Sequence, residues 1–309
     1  MGEIVVLVLV VVAMAAIKAF QHRLPGTVVR ALFAVGVLVP FIALFYAMWM
    51  LWDEWIGWRE LTLFLGLYVL TGFGITLGFH RFLTHRSFVT GRPLTFVLLA
   101  LGSMANQGRC IDWAAHHLKH HAYSDREGDP HSPLDGLAHA YCGWILRGPP
   151  ADRRRYCKRL LEDRLVVFMD RTAPVWVVLG LVGPYLLAGW RGLLWGGLAR
   201  IGFTNHVAFA VNSFGHTYGA QPFQTGDRSR NNWFLAALSF GDGWHNNHHA
   251  FPAMASHGMS RSQFDPTGLA IRALGRLGLV WNVKGPPNAR AVECRLRLPV
   301  PASDESVLT

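Results

Sequence analysis

The sequence predicts an all-α integral membrane protein in which helical hairpins carry a polar part on one side of the bilayer. Three observations indicate this class. The chain of 309 residues is 51% hydrophobic, yet its mean hydropathy of +0.25 is too low for a bare bundle of membrane spans. Its apolar residues are gathered into long stretches. Nine of its histidines lie in four clusters beside those stretches.

Four apolar stretches are arranged as two hairpins. Residues 31–52 and 61–79 are separated by the short sequence WDEWIGWRE, whose tryptophans are typical of a membrane interface. Residues 173–189 and 192–213 form the second pair, with a turn between them. Because about 20 apolar residues cross a bilayer as a helix, we expect four transmembrane helices in two hairpins.

The other segments divide the chain into three parts. Residues 1–30 contain an apolar stretch at 4–17 that predicts either an extra span or an interfacial anchor, and it lacks the form of a signal peptide. Residues 31–285 form the main domain. Within it, the apolar stretch at 94–106 is too short to cross and is expected at the interface or in a buried core. Residues 286–309 are a polar, Pro-rich tail with the composition of a disordered segment.

The distribution of positive charge predicts the orientation in the membrane. The chain has 29 Lys and Arg against 19 Asp and Glu, a formal net charge of +10. Residues 80–172 hold fourteen of these cations, whereas the loops at 53–60 and near 191 hold one each. The positive-inside rule then puts residues 80–172 and the C-terminal part in the cytoplasm, as in a bacterial inner or plasma membrane. All four histidine clusters fall on that side.

Composition also narrows the class of partner. A basic surface suits nucleic acid, anionic lipid or a phosphorylated substrate. The chain has no nucleic-acid-binding signature, so the apolar spans favour membrane lipid and substrate. The four cysteines, Cys110, Cys142, Cys157 and Cys294, form no CxxC pair and are expected to be reduced thiols in a cytosol-facing protein.

Two histidine trios have the spacing of a metal-binding helix face. Positions i, i+3 and i+4 share one face of a helix. The trios that fit this spacing are His117, His120 and His121, and His245, His248 and His249. Each trio can direct its rings at one point, which is unusual by chance in a chain of this composition.

The other two clusters need more than helical spacing. His80 and His85 are five residues apart, about 140° around an ideal helix. They cannot address one atom without a bend, so they serve either two neighbouring ions or one ion and its partner. His216 follows an apolar stretch, and Asn212 precedes it by one helical turn, where its amide oxygen can hold a metal-bound water.

Nine imidazoles are too many for one metal ion and divide as about four and five between two ions. A nitrogen-rich site without thiolates suits iron, and two irons can activate O₂, while copper and zinc remain alternatives by ligand type. The other histidines, His22, His116, His131, His139, His206 and His257, are interpreted as ordinary core or surface residues. His131 in GDPHSP is the strongest exception, as a contact to a ligand or to substrate.

The four clusters resemble the histidine boxes of a known family. The stretches GITLGFHRFLTHRSF, WAAHHLKHHAYSDREGDPHSP, NSFGHTYG and GDGWHNNHHAFP are similar, in order and spacing, to the HxxxxH, HxxHH, NSxxH and HxxHH boxes of the membrane-bound fatty acid desaturases. The similarity is greatest to the acyl-CoA, stearoyl-CoA-type branch and covers about residues 35–285. It implies four transmembrane helices and a cytosolic helical cap that holds two iron ions.

The resemblance also implies residue roles. It carries over as iron ligands His80, His85, His117, His120, His121, His216, His245, His248 and His249, with Asn212 acting through water. Trp113 matches a tryptophan that lines the bent acyl tunnel of such enzymes. Candidates to hold an anionic carrier headgroup are Arg147, Arg153, Arg154 and Arg155. Positive-inside topology and attraction to lipid are an equal explanation for these arginines.

The activity that the resemblance implies is O₂-dependent desaturation of a long-chain acyl thioester, with acyl-CoA as the carrier and one cis double bond formed in a Δ9-type reaction. Such an oxidoreductase reduces O₂ to water and takes electrons from a separate donor, such as ferredoxin or cytochrome b5 with its reductase. A hydroxylase, an acetylenase or an acyl-ACP or lipid desaturase on the same scaffold are alternatives. A metal-binding membrane protein without catalysis is a further one. The sequence leaves open the chain length and the carbon attacked.

Overall fold

The computed structural model of the protein describes two long segments of the chain and a few residues before them. The described residues are 57–147 and 150–297, with Val39, Ile42, 44–46 and Trp49. The apolar stretch predicted at 4–17 and most of the span predicted at 31–52 therefore lie outside the described residues.

The described part of the chain is mostly helical. Its α-helices are α1 (Trp58–Phe73), α2 (Arg92–Met104), α3 (Cys110–Tyr123), α4 (Trp144–Arg147), α5 (Arg153–Glu162), α6 (Arg164–Arg171), α7 (Ala173–Gly192), α8 (Arg200–Phe214), α9 (Trp233–Leu238), α10 (His245–Ala250), α11 (Pro266–Arg276) and α12 (Ala289–Arg297). Segments of π-helix occupy Gly74–Thr84, His139–Gly143 and Leu193–Ala199, and Pro133–Asp135 form a 3₁₀ turn. Strands β1 (Val89–Thr90) and β2 (Val280–Trp281) pair antiparallel, with Val89 opposite Trp281.

Among the described residues, two helices are long and apolar enough to cross a membrane. Trp58–Thr84 has 27 residues and Ala173–Phe214 has 42. Only 39% of the apolar segment in the first helix and 33% of that in the second is buried inside the protein. Most of each apolar surface therefore faces outward. Leu70 and Leu186 are among these exposed side chains. An apolar outward surface of this kind suits contact with lipid better than contact with water.

The second of these helices contains a break. Helical geometry is lost at Ala188 (φ −144°, ψ 25°) and at Gly189 (φ 58°, ψ −145°). The positive φ of Gly189 is tolerated because glycine has no Cβ. Beyond the break, Leu194 and Ile201 pack against Leu181 in one buried cluster. The break therefore lies at the start of the turn expected near Gly189–Gly192, and the two arms fold back on each other.

The first long helix and α2 cross at very short range. A Cβ on Gly74 would lie 2.1 Å from the backbone nitrogen of Gly102, so only glycine permits this approach. Phe79 and Leu99 are fully buried near the crossing, in a cluster that also contains residues of α3 and α6. The apolar stretch at 94–106 thus contributes to a buried core, and this core supports the residue that follows Phe79, which is His80.

The segment that follows α10 packs against the π-helical segment that carries His80. Arg81 is fully buried and donates to Asp265 through Nη1 (2.8 Å) and Nη2 (3.0 Å). Asp265 also caps α11 by accepting from the backbone N–H of Gly268. Ile271 of α11 packs with Leu77 in a second cluster. The C-terminal part of the described chain is therefore held against the element that carries His80.

Candidate metal centre

The nine histidines singled out in the sequence come from four separate elements. The π-helix Gly74–Thr84 carries His80, and His85 follows it directly. Helix α3 carries one trio and α10 the other, while His216 follows the end of α8. The four elements bring all nine imidazole rings into one region of the protein.

The π-helix explains how His80 and His85 can act together. A π-helix joins residue i to residue i+5 through hydrogen bonds, so residues five apart lie nearly above one another. The backbone N–H of His85 donates to the carbonyl of His80 at 3.0 Å, and the two ring centroids are 4.9 Å apart. The bend required by the sequence is therefore a π-helical turn, and both rings belong to the same group.

One group of imidazoles surrounds a first point. His80, His85, His117 and His248 each offer a nitrogen, and these four atoms lie within 4.8 Å of one another. The Nε2 atoms of His80 and His248 are 3.1 Å apart, and those of His85 and His117 are 2.8 Å apart. His121 joins this group because its Nε2 is 3.0 Å from Nε2 of His117 and 2.9 Å from Nε2 of His248. We call these five residues the first histidine group.

A second histidine group comprises His120, His216, His245 and His249, whose ligand nitrogens also lie within 4.8 Å of one another. All four residues are buried. Nε2 of His120 and Nε2 of His249 find no hydrogen-bond partner among the described residues. Buried polar nitrogens are normally satisfied, so two such atoms in one place fit the binding of a metal ion between them. The groups are adjacent, because the rings of His121 and His249 are 4.5 Å apart.

The nitrogen geometry fits a bound transition metal. Two nitrogens bound at right angles to one ion at about 2.1 Å are about 3.0 Å apart, which matches the 2.8 to 3.1 Å separations between Nε2 atoms. A ligating histidine must also be neutral. Burial lowers the pKa of the imidazoles of His85, His117, His120, His121, His245, His248 and His249. These rings therefore keep a free lone pair at neutral pH.

Four aspartates orient four of these rings, and sequence reasoning missed all of them. In each pair Nδ1 of the histidine donates to the carboxylate: His80 to Asp242 (2.9 Å), His120 to Asp129 (2.9 Å), His216 to Asp125 (2.8 Å) and His249 to Asp227 (2.7 Å). A carboxylate on Nδ1 sets the tautomer and turns Nε2 toward the metal position. The sequence places Asp125 and Asp129 inside SDREGDPHSP and Asp242 two residues before WHNNHH, next to the histidine clusters, whereas Asp227 in QTGDRSR lies apart from them.

The sequence GDG that precedes the last trio shows how one of these aspartates is positioned. Gly241 has a φ of +106°, and a Cβ there would lie 2.2 Å from Oδ1 of Asp265. A Cβ on Gly243 would lie 2.1 Å from the backbone nitrogen of Ala236. Both positions therefore require glycine, and together they let the backbone bring Asp242 under His80.

The aspartates differ in their proton affinity. Burial raises the pKa of Asp129 to about 6. Burial alone would also raise the pKa of Asp227, but its hydrogen bond with His249 outweighs this and the pKa lies below its ordinary value. Both side chains are therefore predominantly carboxylates at pH 7 and act as hydrogen-bond acceptors for the imidazole N–H groups.

Two further histidines lie against the groups. His131 stacks on His120 with ring centroids 4.2 Å apart. His257 is fully buried with its ring 4.4 Å from that of His248, and its isolated position in the sequence gave no signal. His116, His139 and His206 lie outside both groups, with contacts to Asp112, Asp135 and Tyr141. His22 lies outside the described residues.

Trp113 lies beside the first histidine group, and Asn212 lies on the helix that leads to His216. The indole of Trp113 is half-buried and stacks on His117 at 5.1 Å between ring centroids. Its Nε1 donates to Oε1 of Gln107 at 3.1 Å. Asn212 is half-buried on α8, one turn before His216. Trp113 thus forms part of the wall next to the first histidine group.

The four candidate arginines have different surroundings. Arg153 is half-buried and forms ion pairs with Asp112 of α3 and Asp170 of α6. Arg155 is exposed and donates to the hydroxyl of Tyr123 at 3.0 Å, and Arg154 is exposed. Arg147 ends α4, and its side chain lies outside the described residues. Arg153 is therefore engaged within the fold, whereas Arg154 faces solvent.

Comparison with known proteins shows the family to which a chain with these histidine groups belongs. The sequence model of the fatty acid desaturase family matches residues 60–263, a range that contains every residue of both histidine groups. The chain belongs to the fatty acid desaturase family. Two candidate membrane helices, a mostly helical fold and clustered histidines all agree with membership of this oxidoreductase family of lipid metabolism.

Relatives within the desaturase family carry their acyl chains in different ways. The chain is 37% identical to a hex-5-enoyl-[acyl-carrier protein] acetylenase of Moorena producens (strain JHB), covering 84% of this chain and 87% of the relative. It is 41% identical to an sn-1 stearoyl-lipid 9-desaturase of Anabaena variabilis, covering 74% and 85%. It is 37% identical to an acyl-CoA C20 Delta5-desaturase of Anemone leveillei, covering 74% and 75%. These identities are similar, so they do not select a carrier.

Proposed function

We propose that the protein is an O₂-dependent desaturase that inserts one cis double bond into a long-chain fatty acyl thioester at a two-iron centre. The acyl chain is carried by CoA and the reaction is of the Δ9 type. The observation that carries the proposal is the convergence of nine histidines into two adjacent groups in a chain of the fatty acid desaturase family.

The two histidine groups would hold one iron each. Nε2 atoms of the first histidine group provide five ligands for one ion. The second histidine group provides four, and Asn212 contacts that ion through water. The division matches the four and five expected from the number of imidazoles. Neutral imidazoles with no thiolate suit iron, and the four Nδ1–carboxylate pairs hold the rings in a fixed orientation.

Bound iron supplies the O₂-activating chemistry that removal of hydrogen from an unactivated methylene requires, since no side chain can provide it. Two C–H bonds break and one C=C bond forms. The substrate gives up two electrons and two protons, the donor adds two electrons and solvent two protons, and O₂ leaves as two water molecules. The protein contributes by excluding water and by holding the imidazoles in a fixed orientation. Burial of the second histidine group supports this role.

The side chain of Trp113 forms the surface that positions the acyl chain. An acyl chain has no functional group near the target carbon, so selectivity depends on measuring distance along a shaped tunnel. Trp113 stacks on His117 and is fixed by Gln107, which supports its role as a rigid surface beside the reacting carbons. Arg154 and Arg155 are the exposed cations that we assign to the anionic carrier headgroup.

We also propose the arrangement in the membrane. Four spans in two hairpins cross the bilayer, with residues 31–285 as the catalytic domain, residues 1–30 as an anchor or extra span, and residues 286–309 as a polar tail. The centre faces the cytoplasm, as the positive-inside rule predicts. The break at Ala188–Gly189 supports the second hairpin. Electrons come from a separate protein such as ferredoxin or cytochrome b5 with its reductase.

A second candidate is favoured by the relatives. The acetylenase acts on an acyl-carrier-protein substrate and the cyanobacterial-type 9-desaturase on a lipid, and both match the chain as well as the acyl-CoA desaturase does. The carrier and the product therefore have to be measured separately. A metal-binding protein without catalysis is the outcome that would remain if neither substrate were converted.

The test is the fatty-acid profile of a bacterial host that expresses the chain with a matched reductase and ferredoxin, measured by gas chromatography–mass spectrometry. A new monounsaturated acid that vanishes in His120→Ala supports desaturation, and its double-bond position tests the Δ9 assignment. Hydroxylated or alkynyl acids would replace the proposal with the alternative chemistry. An iron-loaded, folded protein that converts neither acyl-CoA nor acyl-ACP nor lipid with a working donor would overturn it.

A further inference from the structure

The two histidine groups differ in how many of their rings are backed by an aspartate. In the second histidine group, three of four rings donate from Nδ1 to a carboxylate: His120 to Asp129, His216 to Asp125 and His249 to Asp227. In the first histidine group, the pair of this kind is His80 with Asp242. The second metal position is therefore the more strongly surrounded by negative charge.

The surroundings of the aspartates increase this difference. The other oxygen of Asp242, Oδ1, accepts from the guanidinium of Arg81, whose Nη2 lies 3.2 Å away. By contrast, Asp125 accepts from the backbone N–H of Arg228 at 2.7 Å, and Asp129 accepts from the backbone N–H of His131 at 3.1 Å. The guanidinium of Arg81 is shared between Asp242 and Asp265, so it offsets the charge of Asp242 only in part. A neutral N–H leaves the charge of Asp125 and of Asp129 in place.

Two physical effects follow from an aspartate behind a ligand. Its hydrogen bond makes the imidazole a stronger donor, and its negative charge attracts a divalent ion through an interior where charges are weakly screened. The first group has a compensating advantage in His121, its fifth imidazole. That ring is a neutral donor and adds no charge, whereas the second group has three carboxylates around four ligands. The electrostatic difference therefore favours the second position.

We propose that the position formed by His120, His216, His245 and His249 binds its divalent ion more tightly than the position formed by the first histidine group. The second position is then filled first and emptied last. This inference rests on the proposed function in one respect, the assignment of one ion to each group. It concerns the order of binding and does not depend on which acyl substrate is converted.

The test is a metal titration of two matched aspartate variants. Metal-free, full-length protein in detergent is titrated with cobalt(II) against a chelator of known affinity, with the visible absorption of bound cobalt as the readout. Asp125→Asn is the key variant, because its amide oxygen can keep the hydrogen bonds from His216 and Arg228 while its NH₂ faces Oγ of Ser132, 3.4 Å from the present Oδ1. The charge is lost and the hydrogen bonds are retained. Asp242→Asn is the counterpart in the first group.

The wild type is expected to bind two ions in two resolved steps. Asp125→Asn should weaken the tighter step by about 10- to 100-fold and the weaker step by less. Asp242→Asn should do the reverse. Its new amide nitrogen would face Arg81, so thermal unfolding is followed in parallel, and Asp125→Asn decides the result if this variant does not fold.

Three results would overturn the inference. These are two equal binding constants in the wild type, a larger effect of Asp125→Asn on the weaker step, or a larger effect of Asp242→Asn on the tighter step. Failure of the proposed function has a different signature. A protein that binds two ions in the expected order but forms no alkene contradicts the desaturase assignment and leaves this inference intact. A protein that binds no ion contradicts both.

Discussion

The histidine-lined interior and the basic helix α5 were both singled out by the density of one residue type, and the structure treats them differently. The nine histidines meet in two groups of facing nitrogens. The arginines at the start of α5 separate, because Arg153 turns inward to Asp112 and Asp170 while Arg154 faces solvent.

The difference lies in what each residue type needs. Neutral imidazoles that crowd together in a buried place have unsatisfied nitrogens, and a shared metal ion satisfies several of them at once. An arginine is satisfied by any carboxylate, including one on a neighbouring helix. Clustering therefore indicates a common function for the histidines but only a common sign of charge for the arginines.

The largest expected effect on metal binding and on activity comes from removing one central imidazole. Nε2 of His248 lies 3.1 Å from Nε2 of His80 and 2.9 Å from Nε2 of His121. We expect His248→Ala to lose bound metal and to lower alkene formation by more than about 100-fold, measured by metal analysis and product mass. His139→Ala, outside both groups, is the control and should keep both. Full metal content in His248→Ala would contradict the grouping.

The next largest effect is expected for Arg153, on stability. Arg153→Ala removes the guanidinium that is ion-paired with the buried carboxylate of Asp170, and such a loss costs about 2–4 kcal/mol for a partly buried pair. Thermal or denaturant unfolding in detergent measures it. Arg154→Ala should change stability by less than about 0.5 kcal/mol, since its side chain is exposed. Equal unfolding free energies for the two variants would remove the structural role assigned to Arg153.

Trp113 tests whether the wall beside the first histidine group selects the carbon attacked. Trp113→Ala removes the ring that stacks on His117. The acyl chain should then slide along its tunnel, so that different carbons reach the metal centre. We expect kcat/KM to fall by about 10- to 200-fold and the product to become a mixture of double-bond positions in mass spectrometry. Trp233→Ala, at an exposed indole on α9, is the matched control. A single unchanged product from Trp113→Ala would place the measuring surface elsewhere.

The smallest expected effect concerns the exposed cations. If Arg154 contacts the anionic carrier, Arg154→Ala should raise KM for acyl-CoA about two- to fivefold with kcat unchanged. The difference from wild type should shrink as salt is raised, because exposed charges are screened. Arg155→Ala, which also removes the contact with Tyr123, is the companion variant. No change in KM at low salt for either variant would assign these arginines to topology alone.

Much of the candidate site was readable in the sequence because helical spacing is local. The spacing i, i+3 and i+4 brings each trio to one side of its helix, but the prediction that a trio points at one position was wrong, because His120 joins the second group and His248 the first. The length of the apolar stretches predicted the two candidate spans found among the described residues. The grouping of His80 with His85 could not be predicted, because a π-helix has no distinct pattern of residue spacing in the sequence. The aspartates behind the ligands were also missed, since an isolated carboxylate in a loop has many uses.

The sequence by itself determined which side chains offer nitrogens suited to a metal ion, that nine imidazoles exceed the number one ion binds, and which segments are apolar enough to enter a membrane. Only the tertiary structure decided how the histidines divide, that His121 joins His117 and His248 while its neighbour His120 joins His216, and which aspartate supports which ring. The physical reason is that residue type and helical period are properties of neighbours along the chain. The direction of a ring and the charge behind it are set by elements that are far apart in sequence and meet only on folding.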